Sequence, residues 1–265
     1  MYRSFIYRLG RHLYAWARGD LPNQPETNGE YWLVKQVLAR AGSDAVLLDI
    51  GANKGDWTEQ VLACARDAAL PVHIHAFEPF SATRQMLEAR FTTNASVAVH
   101  ACAMSNRPGA ATLYANHAGS GTNSMHPVSG KHQESIAVTT LDEFLTQQNI
   151  DTVTFAKIDV EGFDGLVLEG ARGSLAKGVF DLVQFEYNWR WLLNSQSLKN
   201  VFQLIEDLPY RLGKLAGEKI IVFEEWHFEM DRFFENNYVL LRKGGPFDQL
   251  GVPGFYDASN TLCYR

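Results

Sequence analysis

The run Val46-Leu47-Leu48-Asp49-Ile50 followed by Gly51-Ala52-Asn53-Lys54-Gly55 constrains this chain more than any other stretch. The apolar run is too short for a helix and reads as a buried parallel strand. The two glycines let the backbone turn sharply and come close to a ligand. A helical pattern opens at about Asp56, so the positive end of a helix points at that turn. A strand, a glycine turn and a helix in this order form half of a nucleotide site. The other half is an acid closing the next strand, and Val72-His73-Ile74-His75-Ala76-Phe77 ends in Glu78. A carboxylate there can accept hydrogen bonds from both hydroxyls of a ribose.

The turn discriminates between nucleotides. A dinucleotide fingerprint carries a middle glycine that makes room for a pyrophosphate. Asn53 stands at that place. A ligand with a ribose and no phosphate fits better, and S-adenosylmethionine is the common one. A nicotinamide-dependent oxidoreductase and a non-catalytic cofactor-binding scaffold on the same fold are the rival readings, because fold alone does not choose a function.

Later strands repeat the pattern of acids at their ends. Thr152 to Ile158 is a buried run that closes with Asp159-Val160-Glu161-Gly162, and Phe180 to Phe185 closes with Glu186. Buried acids must be paired, ligand-bound or at a wet strand end, and in a doubly wound sheet those ends line the ligand crevice. Asp159, Glu161 and Glu186 are therefore candidates for the reacting end, with helix capping as the plainer role for one of the first two. Asp159 and Glu161 would sit on opposite faces of a strand, which speaks against a shared divalent cation. No metal site is expected.

Ala103-Met104-Ser105-Asn106 follows the third strand, Ser96 to Ala101, where a base would rest on Met104. The segment Ala115 to His126 is polar and glycine-rich, between strands expected at Ala111–Tyr114 and Ser135–Thr139. It reads as a flap over the pocket, with a solvated loop as the alternative. It holds His117 and His126, with His132 close behind. Their spacing is not that of metal ligands, and His126 joins the candidate proton acceptors.

At the N-terminus, Phe5, Ile6, Leu9, Leu13 and Trp16 recur at helical spacing among Arg3, Arg8, Arg11 and Arg18. This amphipathic helix suits docking on the domain or on a second subunit, as in a homodimer, with a membrane surface as the alternative. A second helix covers Tyr31 to Arg40. Helices are expected at Leu166–Ala176 and Leu198–Asp207, further strands near Ile220 and at Tyr238–Leu241, and Tyr187 to Trp191 should continue the strand before it. The Gly- and Pro-rich stretch after Lys243 should cross the surface. The division expected is residues 1–43 as a helical extension, 44–243 as the cofactor domain and 244–265 as a tail.

A net charge of −6 argues against a nucleic-acid partner. Cys64, Cys102 and Cys263 form no paired motif. With no bilayer-spanning run and no leader peptide, the expected setting is cytoplasmic.

Three motifs line up in order: Asp49-Ile50-Gly51-Ala52-Asn53-Lys54-Gly55, Phe77-Glu78-Pro79, and Lys157-Ile158-Asp159-Val160-Glu161-Gly162, with Thr140-Leu141-Asp142 before the last and Gly170-Ala171 after it. Together they resemble the FkbM-type S-adenosylmethionine-dependent methyltransferases from about Val46 to Lys243. The resemblance implies a class I methyltransferase fold, an α/β Rossmann-like sheet of about seven mostly parallel strands, the last antiparallel. It implies O-methylation of a hydroxyl on a small molecule, sugar or glycan. It implies that Gly51, Asn53 and Gly55 surround the methionine part of the cofactor, that Glu78 holds the ribose and that Asp159 lies near the methyl group. Asp49, Ala52, Pro79 and Met104 complete the expected cofactor set.

Overall fold

The computed structural model describes residues 2–127 and 130–264. In chain order the elements are α1 (Tyr2–Ala17), α2 (Glu30–Leu38), β1 (Ala45–Ile50), α3 (Asp56–Asp67), β2 (Val72–Phe77), α4 (Ser81–Phe91), β3 (Val97–His100) and β4 (Cys102–Met104). Then come β5 (Gly109–Ala115), β6 (His132–Thr139), α5 (Leu141–Gln148), β7 (Phe155–Ile158), α6 (Asp164–Glu169), α7 (Arg172–Ala176) and β8 (Leu182–Tyr187). The chain closes with α8 (Leu198–Ile205), β9 (Tyr210–Leu215), β10 (Ile220–Phe223), β11 (Asn236–Arg242), β12 (Gly251–Tyr256) and β13 (Leu262–Tyr264).

The main sheet has the order β13-β12-β10-β9-β11-β8-β7-β1-β2-β3. From β3 to β8 every pairing is parallel. β11 inserts antiparallel between β8 and β9. These seven strands are the class I methyltransferase sheet, with its last strand reversed. From β1 the chain winds outward to β3, then returns to place β7 on the other side of β1. The crevice at the carboxyl ends of β1 and β7 is thus the topological switch point, where ligands bind in such sheets.

Alternation along the strands sends side chains to two cores. Leu48, Ile50, Ala156, Ile158 and Phe185 pack under α5 to α8. Leu47, Ile74, Phe155, Leu182 and Val239 pack under α2 and α3. Leu33, Val34, Val37 and Leu38 of α2 are buried in this second core, so the boundary expected at residue 43 cuts through it.

The stretch after Lys243 corrects the expectation of a surface-crossing tail: β12 pairs parallel with β10, and β13 pairs antiparallel with β12. Its glycines are sites of close packing. A Cβ at Gly251 or Gly254 would collide with the side chains of Val222 or Ile221 on β10. Pro253 is tolerated near a sheet edge because few ladder bonds depend on its missing N–H. β9 escaped the sequence reading because Arg211, Gly213 and Lys214 interrupt its apolar run; Lys214 is buried there by pairing with Asp20.

Two further expectations need correction. The helix expected over Leu166–Ala176 is two helices, because Gly170 abuts the Ser105 carbonyl so closely that a Cβ would not fit. The Asp142 carboxylate caps the second piece, accepting from the backbone N–H of Gly173 and Ser174 at 2.8 and 2.7 Å. Past Tyr187 the strand does not continue. Asn188 caps a 3-10 turn, Trp189–Asn194, by accepting from the Arg190 N–H at 2.8 Å.

β4, β5 and β6 form a small separate sheet that carries the expected flap. The segment between α1 and α2 runs as a strap past the ends of β8, β9 and β11. Arg18 meets Glu229, Asp20 meets Lys214 and Asn236, and Asn23 meets Glu186. Among the described residues no helix is long and apolar enough to cross a membrane.

Candidate functional site

The glycine turn is held by the strand beside it. The N–H groups of Gly51 and Ala52 both donate to the Phe77 carbonyl, at 3.1 and 2.9 Å. Gly51 has φ +87°, and a Cβ there would overlap the Asp159 carbonyl. Only glycine satisfies both conditions. Asn53, with φ +49°, takes the next left-handed position, which asparagine tolerates well.

This turn forms one side of a cleft of about 260 Å³. Asp49, Gly51, Ala52, Asn53, Glu78, Pro79, Met104 and Asp159, all expected to serve a cofactor, line it together. Gly55 lies behind the lining, where it admits Leu87 and Phe91 of α4 against the turn. Cys102, Met104 and Leu113 make an apolar slot beside Glu78.

Three buried polar atoms on lining residues have neither a hydrogen bond nor an ion pair, Asp49 Oδ1, Asn53 Oδ1 and Trp57 Nε1; a fourth, Glu161 Oε2, has no hydrogen bond but faces the Arg190 guanidinium. Buried polar groups are ordinarily paired, so two acceptors and one donor here await a ligand. Asp49 is fully buried and its Oδ2 accepts from Thr58 Oγ1 at 2.6 Å. Burial pushes its carboxyl up, against the pull of Lys157 and Thr58. Glu78 accepts from the Phe80 N–H at 2.8 Å. Burial raises its carboxyl to about 7, and the backbone N–H groups of Phe80 and Asn53 limit the rise.

The β7 side of the cleft, against which Gly51 packs, carries the cations. Lys157 is 2.7 Å from Asp159 and 3.9 Å from Glu30, and lies directly beside Asp49 in the sheet register. Burial alone would lower its ammonium, but the carboxylates of Asp159, Glu30 and Asp49 outweigh burial and raise it. Glu161 lies 2.8 Å from the Arg190 guanidinium. Burial first, and then the Asp159 charge, raise the Glu161 carboxyl to about 8. Behind it, fully buried Asp164 accepts from the N–H groups of Val160 and Gly162 at 3.3 and 3.2 Å, which fixes the loop.

Two candidate proton acceptors are placed elsewhere. Glu186 does not line the cleft; its carboxylate accepts from Asn23 at 3.1 Å and Asn188 at 2.6 Å. Strap and 3-10 turn cover it, because the chain bends away after Tyr187. His126 also lies outside the lining, its ring tilted against Phe163 with Nε2 at 3.1 Å from the Asn194 amide. The His117 backbone carbonyl accepts from the Asn123 amide and the Ser120 N–H.

The flap does cover the cleft, which Ser120, Gly121, Asn123, Ser124 and Met125 line. Gly119 N–H donates to Thr83 Oγ1 at 2.9 Å and Ser124 Oγ to the Glu161 carbonyl at 3.1 Å. The sequence reading missed the third wall, made by Asn23, Pro25, Glu30 and Tyr31 from the strap and α2. It also missed Lys157, whose signal was a lysine inside an apolar run, costly among its three buried β7 neighbours Phe155, Ala156 and Ile158. Among the described residues no group of three potential ligands is placed to hold a metal ion.

Comparison with known proteins adds a family. The model of the methyltransferase FkbM domain matches residues 49–212. No curated protein matches the chain significantly. Among solved structures, a putative rRNA methylase from Clostridium thermocellum aligns with 84% of this chain and 98% of its own, at 6% identity and TM-score 0.48. A precorrin-6y C5,15-methyltransferase from Geobacter metallireducens GS-15 aligns with 80% and 87%, at 13% identity and TM-score 0.40. These distant likenesses carry no argument about activity.

Proposed function

Because the chain belongs to the FkbM methyltransferase family, we propose that its cleft binds S-adenosylmethionine and that it methylates a hydroxyl of a small molecule or glycan. The observation that carries this reading is the pairing of unpartnered Asp49 Oδ1, Asn53 Oδ1 and Trp57 Nε1 with a glycine turn that excludes any side chain. An amino-acid moiety brings donors for the two acceptors and a carboxylate for the indole N–H. Glu78 receives the ribose hydroxyls, and the slot of Met104, Cys102 and Leu113 receives the base.

When bound, the cofactor's sulfonium supplies a methyl group to a nucleophile aligned behind it and leaves as a neutral thioether. The protein's part is alignment and proton removal. Asp159, held by Lys157, faces the reacting end and orients the acceptor. Glu161 takes the hydroxyl proton as the oxygen–methyl bond forms. Its raised carboxyl matches it to that task, since a base is most effective near the working pH. The flap excludes water.

Titration calorimetry with S-adenosylmethionine and with NAD tests the cofactor. Binding of the first and none of the second is expected. The reverse result overturns the reading, and cofactor binding with no methyl transfer across a broad panel of hydroxylated acceptors would favour a scaffold instead.

A further inference from the structure

Helix α1 carries an apolar stripe that none of the described residues buries. Its C-terminal half is anchored: Tyr14 donates to Glu229 at 2.5 Å, and Arg11 and, just past the helix, Arg18 lie over the Phe234 ring. No α1 residue is buried. The docking expected from the sequence is therefore confined to the helix end, and the apolar stripe points away. Tyr2 is 81% exposed, Phe5 65% and Trp16 76%, with Ile6, Leu9 and Leu13 about half exposed between them. At helical spacing these six share one face. Arg3 and Arg8 flank that face on its two sides, and the helix carries no acid.

The other face of the helix is turned to the body of the protein. There Tyr7, Gly10 and Tyr14 share a groove with Trp189 and Phe234, and Trp189, Leu192 and Leu193 are themselves exposed beside it. The same 3-10 turn carries Arg190, the partner of Glu161 at the cleft. Apolar patches of this extent mark contact surfaces.

We propose that α1 docks by its apolar stripe on an anionic lipid bilayer surface, lying in the interface without crossing it. The charge pattern selects this occupant. A basic helix on a chain of net charge −6 is drawn to an anionic surface while the body is repelled. A symmetric dimer through the stripe would bring two acid-free, arginine-bearing helices together, which costs what the bilayer returns. Tryptophan and tyrosine at the rim of an apolar stripe, with arginines reaching outward, match an interfacial helix.

The test is flotation of the full chain with vesicles of phosphatidylcholine alone or with phosphatidylglycerol, beside sedimentation velocity without lipid. Binding to the anionic vesicles is expected, weakening with salt. The double substitution Leu9→Glu and Leu13→Glu should abolish it. Arg3→Gln and Arg8→Gln should each weaken it roughly fivefold, as expected for one basic group near the surface. All four side chains are exposed, so S-adenosylmethionine affinity and melting temperature should stay unchanged, which separates this result from that of the catalytic reading. Absence of vesicle binding, or binding that the Leu9 and Leu13 substitutions leave intact, overturns the proposal. So does a dimer in solution that those substitutions dissolve while vesicles are ignored.

Discussion

The two ends of the cleft hold carboxylates in opposite conditions. On the glycine-turn side, Asp49 and Glu78 accept hydrogen bonds from neutral donors, Thr58 and the Phe80 N–H, with Lys157 and Arg84 acting on them through space only, and polar atoms stay unpaired. At the other end, Asp159 and Glu161 each face a cation that the protein supplies, Lys157 and Arg190. The first end lacks donors and suits a ligand that brings hydroxyls and an ammonium. The second end is already neutralised and suits the handling of one proton. The difference teaches that acids at equivalent strand ends acquire different tasks from what surrounds them.

The largest effect should come from the proton end. Glu161→Gln should lower turnover by about 10²–10⁴-fold, the range for a lost acid–base group, and leave cofactor affinity within about twofold. With the glutamate in place, turnover should climb as pH passes through about 8, since the carboxyl must lose its proton first. The substituted enzyme should show no such climb. A mutant with full turnover would merge the two ends into one binding site.

Lys157→Met should show how far the second end depends on its cation. It leaves Asp159, Glu30 and Asp49 facing one another without the ammonium, at a cost of about 3–5 kcal/mol. Chemical denaturation should show the loss at neutral pH and a partial recovery in mild acid, where protonation relieves the carboxylates. Equal loss at both would mean packing, not charge, keeps the lysine there.

At the first end, Glu78→Gln should weaken S-adenosylmethionine by about 1.5–3 kcal/mol, the worth of hydrogen bonds to a charged acceptor, with the melting temperature nearly unmoved. A smaller effect is in the pH dependence of stability. Glu78, Glu161 and Asp164 have folded values of about 7, 8 and 8, all above their ordinary 4.5, 4.5 and 3.8. These three groups therefore hold more protons folded than unfolded, and they cost stability as pH rises from about 5 to about 8, while His75, His100 and His126, all lowered by burial, act the other way around their ordinary 6.5. Between pH 7 and pH 8, above the histidines' range, ligand-free protein should melt lower at the higher pH. Ligand donors favour the ionised Glu78, so binding near pH 7 should release protons, seen as a calorimetric heat that varies with buffer. A heat independent of buffer would mean that Glu78 is already ionised.

The contrast between the ends also explains how much the sequence disclosed. Asp49, Gly51, Asn53 and Glu78 are local: one strand, one turn and the next strand end, whose roles follow from periodicity and backbone conformation. The Gly51 requirement is sharper still in three dimensions, because it meets the Asp159 carbonyl from over a hundred residues away. The second end is assembled from distant pieces. Asn23 comes from a strap that reads as linker, Glu30 from the first turn of α2, and Arg190 from a turn that reads as strand. Tertiary partners decided those, and no short window contains them. The same holds for β12, whose glycines look like loop punctuation and are instead the flat places against which Ile221 and Val222 pack.

His126 supplies the smallest effect and the cleanest check on where the proton goes. By sequence it was as good a base as Glu161, being a histidine on a loop over the pocket. In the fold its ring lies tilted against Phe163 and its Nε2 faces the Asn194 amide, which also donates to the Gly162 carbonyl at 2.8 Å. The histidine thus braces the loop that presents Glu161. Burial and the nearby Arg190 charge lower its pKa, so it stays neutral at neutral pH. His126→Gln keeps a hydrogen-bonding group near Asn194. Turnover should fall by less than about threefold, well short of the roughly 10²-fold loss that removing a proton-transferring group brings. The climb in turnover near pH 8 should remain where it was. If that climb disappears with His126 while Glu161→Gln leaves it in place, the proton passes to the flap, and the division of labour between the two ends has to be redrawn.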